Sequence, residues 1–128
     1  MKVPGAVTKA AHAALDKKAA EVVILDLRKQ AGFTDFFVLA SGANQKQILA
    51  IADAVTEAMR AEGLRPKHVE GYPRQEWILL DYGDFVVHVF EQKARKFYDL
   101  ERLWRESKRV ELPPEFNTDS ASSLRRES

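Results

Sequence analysis

A chain of 128 residues is long enough for one domain with its own core, and its 20 basic and 19 acidic side chains leave a net charge of only +1, which excludes a chain that binds polyanions with its whole surface. It has no cysteine, which excludes a disulfide framework, a Cys-based zinc site and a thiol nucleophile and fits a reducing compartment. The N-terminal MKVPGAVTKAAHAALDKKAAE carries charges throughout, unlike a signal peptide, and no run approaches the roughly 20 apolar residues of a membrane span, so a cytoplasmic protein without membrane contact is expected.

Val7, Ala11, Ala14 and Leu15 recur at helical spacing, which predicts a first helix from about Thr8 to Ala20. EVVILDL (21–27) reads as a strand apolar on both faces, and DFFVLASG (Asp35 to Gly42) as a second, joined to it by KQAGFTD. Asn44 can cap the next helix, with Gln47 in the capping-box position. Ile48, Ile51, Ala52, Val55 and Met59 form one stripe, and Gly63 suits the helix end, giving a helix from Gln45 to Glu62. KHVE (67–70) can hold a short strand before Pro73 interrupts. Two strands follow, Glu76–Asp81 and Asp84–Glu91, with Tyr82–Gly83 as a two-residue hairpin loop. A third helix is expected from Lys93 to Ser107, broken near Asp99. The polar tail from Pro113 is expected to be disordered. The expected fold is a small α/β domain over 1–112, a mixed five-stranded sheet flanked by helices.

The hairpin WILLDYGDFVVHVF (77–90) holds the densest candidate chemistry. A turn at Tyr82–Gly83 sets Asp81 opposite Asp84, Leu79 opposite Val86 and Trp77 opposite His88. One face then carries Ile78, Leu80, Phe85, Val87 and Val89 and should pack on helices. The other carries Trp77, Leu79, Val86, His88 and Phe90. On spacing alone that mixed face is a second core layer under the third helix, with His88 hydrogen-bonded inside. The competing reading is an open face that docks a partner. Asp81 and Asp84 suit a tight turn better than a metal or acid–base pair, since Asp accepts local N–H bonds there. His12, His68 and His88 have no shared ligand spacing, and ASGANQ lacks the lysine and glycines of a P-loop, so Ser41 and Asn44 most simply start a helix. No cofactor, metal or catalytic residue is expected.

From Lys93 to Arg109, seven basic residues (Lys93, Arg95, Lys96, Arg102, Arg105, Lys108, Arg109) outnumber three acidic ones (Asp99, Glu101, Glu106), a local excess of four. Such runs usually form a solvated helical face, and the alternative is a patch for RNA or an acidic surface. Phe97, Leu100 and Trp104 share one helical face, with Tyr98 pointing elsewhere.

Together TDFFVLASG, EWILLDYGDFVVHVF and FYDLERLW resemble the ribosomal silencing factor (Iojap-like) family, over about Asp26 to Trp104. The KARK ahead of FYDLERLW is more basic than the family's usual version. The resemblance implies a nucleotidyltransferase-like fold without the catalytic centre. It implies attachment to the large ribosomal subunit through ribosomal protein fourteen, steric blocking of small-subunit joining when nutrients are scarce, and, in organelle relatives, a link to large-subunit biogenesis. Carried over to this chain, Trp77 is the aromatic anchor and Leu79 and His88 are its sheet-face neighbours. Tyr82, Tyr98 and Leu100 extend the same edge. Lys93 and Arg95 would touch ribosomal RNA peripherally or an acidic rim, and Asp81 and Asp84 would pair with basic residues of the ribosomal protein. A monomer or weak homodimer is expected. The rival readings are an enzyme of nucleotidyltransferase type and a free-standing RNA-binding module.

Overall fold

The computed structural model describes residues 4–30, 32–105 and 107–110. The elements run α1 (Gly5–Asp16), β1 (Ala20–Asp26), β2 (Phe36–Gly42), α2 (Gln45–Ala61), β3 (His68–Glu70), β4 (Trp77–Asp81), β5 (Phe85–Glu91), α3 (Gln92–Tyr98), α4 (Leu100–Leu103) and β6 (Lys108–Val110). They build a small α/β domain on one mixed sheet of order β3-β4-β5-β2-β1-β6, in which β2 and β5 are parallel and every other pair is antiparallel.

Strand alternation divides the sheet's side chains between two layers. Ile24, Phe36, Val38, Ala40, Ile78, Leu80, Val87 and Val89 point to one side. There they meet the apolar stripes of α1 (Val7, Ala10, Ala11, Ala14) and α2 (Ile48, Ile51, Ala52, Val55, Met59). The many alanines of α1 let the two helices approach closely. On the reverse side Leu25, Leu27, Phe37, Leu39, Val86 and Phe90 form a smaller layer, against which Trp77, Leu79, Leu100 and Trp104 pack while staying partly exposed.

The ends of α2 follow from local chemistry. Asn44 Oδ1 accepts the Gln47 N–H at 2.9 Å, and Gln47 Oε1 accepts the Ala43 N–H at 2.7 Å. The Gln47 amide also donates to the Lys17 and Lys18 carbonyls, tying the start of α2 to the end of α1. At the other end Gly63, at φ +79°, donates to the Arg60 carbonyl and Leu64 to the Met59 carbonyl, a Schellman termination.

Four expectations need correction. The sheet has six strands, because Lys108–Val110 pairs with β1; three residues, two of them charged, show too little alternation to be read as a strand. The first helix starts at Gly5 and ends at Asp16, since Lys18 takes a left-handed φ of 62°. The third helix breaks at Asp99 (φ 48°) as expected, but its second part stops at Leu103, short of Ser107. The hairpin turns at Gly83–Asp84, one residue later than expected. Tyr82 N–H bonds to the Phe85 carbonyl at 2.9 Å, and Gly83 alone of the two central residues has positive φ, as in a type II′ turn. Moving the turn by one moves the pairing by two, so Asp81 lies opposite Val86, Leu79 opposite His88 and Trp77 opposite Phe90, and the faces are unchanged. The expected disorder of the tail from Pro113 concerns residues outside those described.

Candidate functional site

The reverse side of the sheet is finished unevenly. Over β1 and β2 it is closed by the segment after β5: Trp104 lies edge-on to Phe37 with ring centroids 6.1 Å apart. Over β4 it stays half open, leaving Trp77 and Leu79 in a shallow groove of about 160 Å³ walled by Glu70 and Gly71. The mixed face is therefore covered on one strand and open on the next. His88, central on β5, belongs to a covered layer, and β4 beside it presents an open surface.

His88 is 3 % exposed and stands between Leu39 of β2 and Leu79 of β4. Its ring meets Phe37 edge-on at 4.4 Å and lies nearly parallel to Phe90 at 5.8 Å. The Trp77 indole N–H donates to His88 Nδ1 at 3.0 Å. An indole can only donate, so Nδ1 is the bare nitrogen and the proton of the neutral ring sits on Nε2. Burial pushes the His88 pKa down to about 3, so the ring is uncharged at neutral pH. His88 thus acts as a buried acceptor that sets the orientation of Trp77. Tyr98 packs on the indole at 4.6 Å and Phe90 at 5.1 Å, so the half-exposed ring is gripped by three neighbours.

Gly71 supports the same arrangement from the backbone. Its φ is +96°, and a Cβ there would lie 1.9 Å from the Trp77 carbonyl oxygen. Only glycine lets the β3–β4 connection pass that close to the anchor strand. The outer rim is acidic. Glu70, bonded to His68, sits opposite Leu79, and Asp81 sits opposite His68. Asp81 Oδ1 accepts the Gly83 N–H at 2.8 Å, which is the turn role expected of it.

The remaining candidates separate. Tyr98 is 46 % exposed beside Trp77, and Leu100 packs half-buried on the same side. Lys93 is exposed on α3. Asp84 is exposed in the turn, and its carbonyl accepts the Asp35 and Phe36 N–H groups, fastening the hairpin to β2. Tyr82 lies through the sheet from Trp77, in the helix-side core and stacked on Phe85 at 5.0 Å; burial raises its phenol pKa. Arg95 is 5 % exposed and faces inward. Its Nη1 donates to Ser41 Oγ at 2.8 Å and to the Glu21 carbonyl, and its Nε to Glu101 at 3.0 Å. The bulge of β1 around Glu21 frees that carbonyl from the β2 ladder. Arg95 is thus the rivet that holds α3 and α4 to the sheet, and Ser41 receives it in place of capping α2.

Gly71 and Phe37 shape the site without having been singled out for it. Gly71 was visible only as a glycine beside a Tyr–Pro turn, and a sequence does not show what a glycine's backbone touches. Asp81 and Asp84 do not converge, and among the described residues no three His, Cys, Asp or Glu side chains are placed to share a metal ion. The same residues contain no helix long and apolar enough to cross a membrane. The arrangement offers an oriented aromatic, an adjoining aliphatic groove and an acidic margin, which are the parts of a protein-docking surface.

Comparison with known proteins gives a consistent answer. The family model described as "Ribosomal silencing factor during starvation" matches residues 1–128. The Ribosomal silencing factor RsfS of Halalkalibacterium halodurans is 41% identical over 103 residues, covering 80% of this chain and 88% of that protein. Its counterpart from Bacillus subtilis is 36% identical over the same length, covering 80% and 87%. A crystal structure of a Chromobacterium violaceum protein superposes with a TM-score of 0.78 at 29% identity, covering 97% of this chain and 99% of that one.

Proposed function

The chain belongs to the ribosomal silencing factor family, and from that premise we propose that it represses translation by seating its β4 face on ribosomal protein fourteen of the large subunit and so excluding the small subunit. Membership makes the protein a translation regulator that acts through the ribosome. On this reading it acts in the cytoplasm and also takes part in large-subunit biogenesis. The observation that carries it is Trp77: a large aromatic, half exposed, held in one orientation by His88 and Tyr98. Fixed aromatics beside a groove are the usual hot spots of protein interfaces, because little side-chain entropy is lost when they bind. The acidic margin of Glu70, Asp81 and exposed Asp84 suits a basic ribosomal protein and would speed and orient the encounter more than it would tighten it. Repression then needs no chemistry. One domain bound at the joining face occupies volume the small subunit requires.

Co-sedimentation with separated large subunits, small subunits and joined ribosomes tests this. The protein should pellet with large subunits alone. Trp77→Ala should keep its fold and lose about 2 kcal/mol of binding, roughly a thirtyfold weaker Kd. A folded variant that pellets as well as the parent would remove Trp77 from the site.

A further inference from the structure

The α3–α4 arm carries a second surface of opposite character. Phe97 is 81 % exposed and Leu103 70 % exposed, and both line an open trough of about 590 Å³ together with Tyr98, the cations Lys96, Arg102 and Arg105 and one acid, Asp99. Among the described residues, no carboxylate pairs with these three cations. Glu101 is taken by Arg95 and Arg109, and the Asp99 carboxylate receives the Arg102 backbone N–H at 3.3 Å as the cap of α4. Among the described residues Phe97 has one ring neighbour, Tyr98, at 5.1 Å and nearly perpendicular, and the Phe97 side chain is largely exposed.

We propose that this trough is a contact for unpaired RNA, in which Lys96, Arg102 and Arg105 neutralise phosphates and Phe97 receives a base on its ring. Flat exposed aromatics interleaved with uncompensated cations are the composition of single-strand binding surfaces, because every base has a π-face and every linkage a charge. An acidic protein would satisfy the cations and leave the ring without a partner. The inverted sign across the anchor, acidic at Glu70 and Asp81 and basic at Lys96 and Arg102, means that the two surfaces recognise different chemistries. The RNA contact rests on the ribosome-docking reading for the origin of that RNA, an unpaired stretch of large-subunit RNA beside the docking site.

Fluorescence anisotropy of the full chain with a labelled oligouridylate of roughly 12 nucleotides tests it. Binding at low salt should weaken with a slope of log K against log salt near about −2, as three phosphate contacts on a single strand require. The variant K96Q/R102Q/R105Q, changed only at exposed positions, should flatten the slope. Phe97→Ala should weaken binding about tenfold, and Phe97→Trp should restore it. The proposal falls if the oligonucleotide does not bind, if the triple variant keeps the slope, or if Phe97→Ala changes nothing. It falls equally if polyglutamate of matched charge competes as well as the oligonucleotide. Binding of the parent chain to isolated ribosomal protein fourteen is measured alongside. Oligonucleotide binding without that association overturns the docking reading alone, and the reverse overturns the RNA contact alone.

Discussion

On one side of the sheet, Ile24, Val38, Ile78, Val87 and Val89 meet α1 and α2 and are wholly buried; on the other, Leu39 and Phe90 are as deep, but Trp77 and Leu79 stay half open. Both sides arise from the same alternation along the same strands, so the pattern does not distinguish them. What covers each side does. Two amphipathic helices of 12 and 17 residues close the first, whereas two short helices of 7 and 4 residues close only part of the second. Stability is concentrated where cover is complete, and recognition becomes available where it runs out.

If that division is right, changes on the two sides should fail in different ways. The largest effect belongs to the helix side. Ile51→Ala leaves a cavity between α2 and the sheet and should cost about 2–5 kcal/mol in urea unfolding. The fraction that remains folded should bind large subunits normally, and an affinity that fell in step with stability would dissolve the distinction. Gly71→Ala tests the other side. A Cβ meeting the Trp77 carbonyl at 1.9 Å forces the β3–β4 connection to shift, at about 1–3 kcal/mol of strain. In a Trp104→Phe background the remaining indole should show red-shifted emission and large-subunit binding should weaken about tenfold, while urea unfolding retains a single transition. An unmoved emission maximum would mean that Gly71 does not hold the anchor.

The third effect, the smallest near neutral pH, is a pH slope. The His88 pKa is about 3 in the folded protein against an ordinary 6.5, so the unfolded chain takes up a proton that the native ring refuses. The contribution is complete above about pH 6.5 and drains away as pH falls towards 3, at about 1.4 kcal/mol per pH unit. His88→Gln should remove that portion of the slope between pH 6 and 4 in a series of urea titrations. An identical slope in the variant would show that other groups produce the acid sensitivity.

Much of this division was readable in advance, for definite reasons. The stripe of α2 and its Asn44–Gln47 cap are local signals. The two faces of the β4–β5 hairpin survived a misplaced turn because a shift of two residues leaves the faces as they were. The side on which Tyr82 falls depends on the turn, and the turn was placed one residue early. Arg95 was beyond local reading. It sits in a run of cations like any surface arginine, and only the meeting of α3 with Ser41 and the Glu21 bulge, 54 and 74 residues away, shows that it points inward. Its neighbours Lys96, Arg102 and Arg105 kept the role that composition gives a charged run, and lie in solvent.

The two strands that border the sheet, β3 and β6, are three residues each, and both carry charge. Among the described residues, an incoming β-strand would find at either border only a few unsatisfied amides, too few to repay the entropy of being ordered there. The molecule can therefore display an apolar, aromatic patch for its partner without offering a template along which copies of itself would stack into fibres.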